Sequence, residues 1–121
     1  PGTGLGVGYF LHVHGGPQAI SKNNKIKLRE GMVMSNEPGY KKKNKFGIRI
    51  ENLVYVKKYK QKNYFTNLTM APIDKELINK KLLNQDEKIW INRYHKKVYN
   101  NIKRLMYKNE MEDLRKACSI I

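Results

Sequence analysis

Cysteine is nearly absent from this chain of 121 residues, in which Cys118 stands alone. A single cysteine excludes an internal disulfide and is typical of a reducing compartment, so we expect a cytoplasmic protein. No apolar run approaches the length of a membrane span, and the sequence does not open with the basic and apolar segments of a signal peptide. The chain begins with Pro1 rather than methionine, which predicts a processed or excerpted segment with residues missing upstream.

Acidic side chains are also scarce, since 10 Asp and Glu face 25 Lys and Arg and give a formal net charge of +15. Such a charge commonly indicates an anionic partner, most often nucleic acid. Lysine far outnumbers arginine, however, and proteins that recognise nucleic acids rely on arginine for bidentate and stacking contacts. We therefore expect a solvated lysine surface on outer faces and turns (Lys41–Lys45, Lys57–Lys62, Lys96–Lys97) and no specific nucleic-acid partner. Any nucleic-acid binding should be sequence-blind and lost with salt.

The segment GTGLGVGYFLHVHGGP (residues 2–17) is rich in glycine but lacks the common phosphate-binding motifs. A dinucleotide fingerprint needs a glycine where Tyr9 stands and a helix after it, whereas the sequence predicts a short strand over residues 9–14. The Gly-Lys-Ser/Thr of a P-loop is missing as well. We infer that these glycines let the backbone turn sharply or pass close to a bulky neighbour.

The hydrophobic pattern predicts strands first and helices last, which is an α+β class. Strands are expected at residues 32–35, stopped by Pro38, and around residues 64–70, with a turn at residues 41–45. The run from Phe46 to Tyr59 alternates as one long strand. Asn84 and Glu87 resemble a capping box that opens an amphipathic helix carrying Trp90 and Met106 on its apolar face, and a shorter helix is expected at residues 110–117.

Two glutamates stand out in this strand region. Glu51 is predicted in the middle of the alternating strand, where a buried unpaired carboxylate would cost several kcal/mol. One interpretation is an ion pair between Arg49 and Glu51 on a solvated face, and the other is a carboxylate directed into a site. Glu37 follows the strand at residues 32–35, and with His12 or His14 the two glutamates could form an oxygen-rich metal set.

Four stretches in order, GTGLGVGYFLHVHGGP, GMVMSNEPGY, FGIRIENLVYV and LTMAPIDKELINKKLL…WINRYHKKV, resemble the C-terminal part of aminopeptidase P. This is the cytosolic Xaa-Pro aminopeptidase group of the pita-bread metallopeptidases of family M24. The resemblance covers essentially the whole chain and implies the later half of a pita-bread fold, with antiparallel strands followed by C-terminal helices. It implies that residues 1–60 belong to the catalytic domain and residues 61–121 to the C-terminal extension of this group.

The resemblance also implies an activity and a set of site residues. Such enzymes remove the N-terminal residue from peptides with proline in second position and use two divalent cations, commonly manganese, with a bridging water. Metal ligands are expected at Glu37 and Glu51, and Glu37 would also be the general acid/base. His14 would be catalytic and contact the substrate, and we expect Arg49 to bind substrate too.

The sequence departs from the family pattern at several ligand positions. Leu5 stands where the family has a histidine ligand, Pro1 stands at a second histidine position, and Gly15 replaces an acidic residue. The family's two aspartate ligands belong to an upstream strand that is not part of this sequence. We therefore expect the isolated chain to bind no metal pair and to be inactive.

Three functions remain open from the sequence. The chain is a piece of a metalloaminopeptidase, or a non-catalytic remnant that acts in dimerisation, or a basic nucleic-acid-binding protein. The family's C-terminal region contributes to dimerisation. We expect a homodimer or other self-association through exposed strand edges and the helix Trp90–Met106, or association with a complementary fragment.

Overall fold

The computed structural model describes residues 2–121 of the chain. Pro1, which the resemblance placed at a family histidine, lies outside the described residues. The chain divides into two compact units, Pro1–Thr69 and Met70–Ile121. Within residues 2–121, neither helix combines the length and the apolarity that crossing a bilayer requires.

Strands fill the first unit, and helices follow in the second, as the sequence predicted. The strands are β1 (Gly4–Leu5), β2 (Ala19–Ile20), β3 (Val33–Asn36), β4 (Gly39–Lys42), β5 (Phe46–Arg49), β6 (Asn52–Tyr59) and β7 (Lys62–Asn67). The helices are α1 (Gln85–Ile102) and α2 (Met111–Ala117), and a single 3-10 turn spans Tyr9–Leu11.

The main sheet of the first unit is antiparallel and has the order β3–β6–β7. Met34 of β3 lies opposite Val54 of β6, and these two side chains form the buried core with Val56. Ile20 and Leu28 are among the half-buried side chains that pack against this core. There are two smaller antiparallel pairs: β1–β2 precedes β3 in sequence, and β4–β5 lies between β3 and β6.

The predicted strand at residues 9–14 is wrong. The segment instead doubles back, because the Gly8 N–H donates to the His12 carbonyl oxygen at 2.9 Å. Phe10 and His14 have φ angles of 53° and 67°, in the left-handed region that no strand residue adopts. Only Val13 retains a β-bridge, to Val7.

The predicted single strand from Phe46 to Tyr59 is interrupted at residues 50–51, where β5 ends before β6 begins. Both halves pair antiparallel in one common register, with Arg49 opposite Gly39 and Asn52 opposite Asn36. The ladder breaks at Pro38, which has no N–H to donate, although its carbonyl oxygen accepts from Ile50 at 3.3 Å. Side chains continue to alternate between the two faces across the break because both halves are extended. This is why the sequence indicated one strand.

The limits of three other predicted elements also shift. Strand β4 begins directly after Pro38 and continues to Lys42. The turn that was expected at residues 41–45 is therefore limited to residues 43–45. The strand expected around residues 64–70 is β7, which begins and ends earlier. The lysines of residues 41–45 and 57–62 are exposed as expected, whereas Lys97 is half-buried.

Helix α1 begins at the predicted capping box. The Glu87 N–H donates to Asn84 Oδ1, and the Asn84 N–H donates to Glu87 Oε2, both at 2.9 Å. The apolar face is only partly as predicted, since Trp90 is half exposed and Ile91 beside it is buried. The helix ends at Ile102, so that Met106 lies beyond it.

His95 is a buried polar residue of α1 that the sequence did not single out. Its Nε2 accepts a hydrogen bond from the Ile73 N–H at 3.1 Å, which places the proton of the neutral ring on Nδ1. Nδ1 has no partner among the described residues. Burial, helped by the charge of Lys75, holds the pKa of His95 below its ordinary value.

The second unit should therefore lose stability as the pH falls. Because the folded pKa of His95 lies below that of the unfolded chain, the unfolded chain binds more protons than the folded chain as the pH drops through about 6.5. We expect the free energy of unfolding to decrease as the pH is lowered from about 8 to about 5. Urea denaturation at several pH values in this range measures it. His95→Gln keeps an acceptor for Ile73 and should reduce this slope, while His12→Gln, at an exposed position, should leave it unchanged. If the unfolding free energy of His95→Gln depended on pH as steeply as that of the native chain, the pH dependence could not be assigned to His95.

A second prediction concerns the close passage of β1 over β3. A Cβ atom on Gly4 would lie 2.0 Å from the carbonyl oxygen of Ser35, whereas a Cβ on Gly8 would be 3.7 Å from its nearest neighbour, the carbonyl oxygen of His12. Gly4→Ala should lower the free energy of unfolding by about 2 kcal/mol or more, because backbone must move to accommodate the methyl group. Gly8→Ala is the matched control and should change it little. Equal midpoints for the two variants in urea denaturation would rule out this account.

Candidate functional site

Strand β1 brings Leu5 against β3. The Leu5 N–H donates to Ser35 Oγ at 3.0 Å, and Val7, two residues on, donates its N–H to the Val33 carbonyl oxygen at 3.0 Å. The absent side chain of Gly4 makes this approach possible, since its Cα faces the Ser35 carbonyl group. The expectation that these glycines allow a close backbone passage is confirmed.

Glu37 is held from three directions where β3 ends. Its backbone N–H donates to the Thr3 carbonyl oxygen at 2.6 Å. Its carboxylate accepts a hydrogen bond from Ser35 Oγ at 2.8 Å on Oε1 and another from Arg49 Nη1 at 2.8 Å on Oε2. The side chain is 17% exposed, so this is a half-buried carboxylate with a fixed direction.

Ser35 was missed by the sequence analysis. It is 1% exposed and links the backbone of Leu5 to the carboxylate of Glu37. The available signal was a serine in an apolar strand, two residues before a glutamate and hence on the same face. A buried hydroxyl in that place needs partners, and the carboxylate supplies one.

The pairing of β3 with β6 determines where Glu51 lies. Asn36 and Asn52 are opposite each other in the ladder, so the next positions along both strands, Glu37 and Glu51, also face each other. Arg49 contacts both carboxylates, with Nη1 at 2.8 Å from Glu37 Oε2 and Nε at 3.5 Å from Glu51 Oε2. One guanidinium thus offsets two negative charges that the register places side by side.

Of the two interpretations of Glu51, the structure contains the ion pair. The ion pair of Arg49 with Glu51 exists and is exposed, with side chains 58% and 40% accessible. Glu51 does not lie in mid-strand as expected, because it occupies the break between β5 and β6. The less accessible carboxylate is Glu37, which Arg49 contacts more closely.

His14 is not brought into this arrangement. It lies in the turn after Val13, with a positive φ and an exposed side chain, and no described hydrogen bond joins it to Glu37 or Arg49. His12 is exposed as well. The structure therefore assembles Leu5, Glu37, Arg49 and Glu51, and leaves both histidines outside the cluster.

A cavity of about 910 Å³ opens beside Leu5 and Glu37. Its lining includes Gly39, Lys41 and Arg49, together with Asn23, Asn24 and Lys25 of the loop between β2 and β3. Asn24 fixes this loop, because its Nδ2 donates to the Pro17 carbonyl oxygen at 2.9 Å and its Oδ1 accepts from the Ile26 N–H at 2.7 Å. The lining contains the basic side chains of Lys25, Lys41 and Arg49 beside the single carboxylate of Glu37, which suits an anionic or zwitterionic ligand.

The residues present do not fit a pair of divalent cations. Each such ion requires several fixed oxygen or nitrogen donors, and the cluster offers Glu37 and Glu51, both already paired with Arg49. Leu5, which the resemblance placed at a family histidine ligand, contributes no donor side chain. Across residues 2–121, no group of three or more His, Cys, Asp or Glu side chains is placed to hold a metal ion.

Comparison with known proteins identifies the family. Residues 1–58 match the model of metallopeptidase family M24, and residues 63–121 match that of the C-terminal region of the same peptidases. A probable Xaa-Pro aminopeptidase P from Laccaria bicolor is 43% identical over 98% of this chain and 20% of its own length. Another from Coprinopsis cinerea is 45% identical over 87% of this chain and 19% of its own length.

A solved structure gives the same result. The X-prolyl aminopeptidase from Caenorhabditis elegans, described as a cytosolic enzyme with a dinuclear active site, superposes with a TM-score of 0.87 at 35% identity. The match covers 99% of this chain and 21% of that one, so the chain spans about a fifth of the length of the proteins it resembles. This likeness confirms the predicted α+β class and the later part of a pita-bread fold. The chain belongs to metallopeptidase family M24.

Proposed function

We propose that the chain is the later part of a metal-dependent Xaa-Pro aminopeptidase, which removes the N-terminal residue of peptides with proline in second position. The observation that supports this is the pair Glu37 and Glu51, placed opposite each other by strand register with Arg49 between them. Relatives that match nearly all of this chain carry this activity in their names. We propose a cytoplasmic location as well, supported by the similar enzyme from Caenorhabditis elegans, which is described as cytosolic.

The roles proposed for the site residues rest on their positions. Glu37 and Glu51 occupy the positions of metal ligands, and Glu37, whose direction is fixed by Ser35, is also the general acid/base. Arg49 orients Glu37 and binds substrate. His14 contacts the substrate and is catalytic, and its exposed position on a turn leaves the ring accessible.

We also propose a division of labour between two parts of the chain. Residues 1–60 supply the glutamate-bearing part of the catalytic domain, and residues 61–121 form the C-terminal extension of this group. The boundary between the compact units of the structure lies later, between Thr69 and Met70, because β7 pairs with β6.

We propose further that these 121 residues alone do not catalyse the reaction. Two manganese ions would need donors that the cluster lacks, because Leu5 replaces an imidazole and Arg49 occupies both carboxylates. A histidine at position 5 would restore one donor, but the two aspartate ligands would still be missing.

The isolated chain should therefore show no turnover of an Xaa-Pro peptide in excess manganese, and Leu5→His should not rescue it. The measurement is release of the N-terminal amino acid by the purified native chain and by Leu5→His. Glu51→Ala removes a proposed ligand at an exposed position and is the background control. Turnover well above this control in either protein would show that the site is more complete than proposed.

A second candidate function is association, and the exposed face of the β4–β5 pair favours it. Tyr40, Phe46 and Ile48 are exposed by 62%, 52% and 47%, and the rings of Tyr40 and Phe46 lie 6.0 Å apart. Apolar side chains gathered on a two-stranded pair usually mark a contact surface. The proposed partner is a second copy of the chain or a complementary fragment.

Sedimentation velocity tests this association. At high micromolar concentration the native chain should sediment faster than a monomer, and replacing Phe46 and Ile48 together with lysine should return it to the monomer. Leu82→Lys changes another exposed apolar side chain, 81% accessible, and should leave the sedimentation coefficient unchanged. A folded native monomer at this concentration would contradict the proposal.

A further inference from the structure

A second cavity, of about 850 Å³, lies within the second unit between α1 and the end of α2. Helix α1 contributes Ile89, Arg93 and Lys96, which recur at helical spacing and so share one face. The far wall contains Cys118 and Ile120. We call this cavity the α1–α2 groove. Its size falls within the usual range for small-molecule sites.

The wall of the groove is held in place by hydrogen bonds. The Ile121 N–H donates to Asn92 Oδ1 at 3.0 Å, which ties the last residue to α1. Lys75 Nζ donates to the Lys116 carbonyl oxygen at 2.7 Å and to the Ser119 carbonyl oxygen at 3.0 Å. A groove whose wall is already fixed loses little conformational entropy when it is filled.

Apolar and cationic side chains share the lining. Ile120 is 81% exposed beside the half-buried ring of Tyr99, so an apolar surface faces solvent here. Burial raises the pKa of the Cys118 thiol, which stays neutral and adds to this apolar part. Removing such surface from water is favourable for any ligand that covers it.

The charge in the groove has one sign. Its described lining contains Arg93, Lys96 and Arg115 and no carboxylate. Arg115 is paired with Glu112, whereas no partner is described for Arg93 or Lys96. These two cations are three residues apart on α1, close enough for a single anionic group to contact both. An apolar wall beside two unpaired cations is complementary to a molecule with an anionic head and an apolar body.

We propose that the α1–α2 groove binds a medium-chain carboxylate, with its head group on Arg93 and Lys96 and its chain against Ile120 and Tyr99. This site lies in a different unit from Glu37 and Glu51 and does not depend on the aminopeptidase activity.

Amide-resolved NMR of the full chain, titrated with decanoate below its micelle concentration, tests the proposal. Decanoate should shift the amides of Asn92, Lys96 and Cys118, whereas decanol and decyltrimethylammonium at equal concentration should shift them little. Replacing Arg93 and Lys96 together with glutamine should weaken decanoate binding about tenfold. Arg104→Gln removes the same kind of charge from an exposed position outside the groove lining and is the matched control.

Ile120→Ser tests the apolar contribution separately from that of the two cations. It should weaken decanoate binding without changing the fold, because the side chain is exposed. Three results would overturn the proposal: equal shifts with decanol, unchanged affinity in the doubly substituted chain, or shifts confined to other regions. Concentration-dependent shifts of the same amides without decanoate would show instead that a second copy of the chain fills the groove.

Discussion

The antiparallel register between β3 and β6 is the constraint on which the first unit depends. It places Met34 opposite Val54 on the buried side and continues beyond Asn36 and Asn52, so that Glu37 and Glu51 face each other. A shift of one residue would turn the core side chains to solvent and separate the carboxylates. Core and candidate site are therefore fixed by the same set of backbone hydrogen bonds.

Two like charges placed side by side need a compensating cation. In this structure Arg49 provides it, from a strand that keeps the register of β3 and β6 across the break at Pro38. The same guanidinium that stabilises the pair engages both carboxylates, so an ion entering between them would have to displace it. The chain thus holds the two glutamates that we propose as metal ligands in an arrangement whose charge Arg49 offsets.

In the second unit, different contacts hold the elements in place. Its helix α1 carries a buried imidazole, His95, whose ring bonds only through Nε2 among the described residues. Lys75 tethers the end of α2 by donating hydrogen bonds to the carbonyl oxygens of Lys116 and Ser119. The capped start of α1 and the tethered end of α2 fix the elements that line the α1–α2 groove.

Local patterns were sufficient for the sequence to determine the α+β order, the capping box of α1 and the short final helix, and to single out Glu37 and Glu51 as candidates. Such patterns depend on neighbours a few residues apart, and the motifs that resemble aminopeptidase P lie in continuous stretches. Tertiary structure alone decided that residues 9–14 turn back, that the Phe46–Tyr59 run breaks, and that Ser35 links Leu5 to Glu37. The reversal depends on left-handed backbone at Phe10 and His14, and the break depends on a missing N–H in the opposite strand. The link through Ser35 joins residues 30 positions apart, a distance over which residue periodicity contains no information.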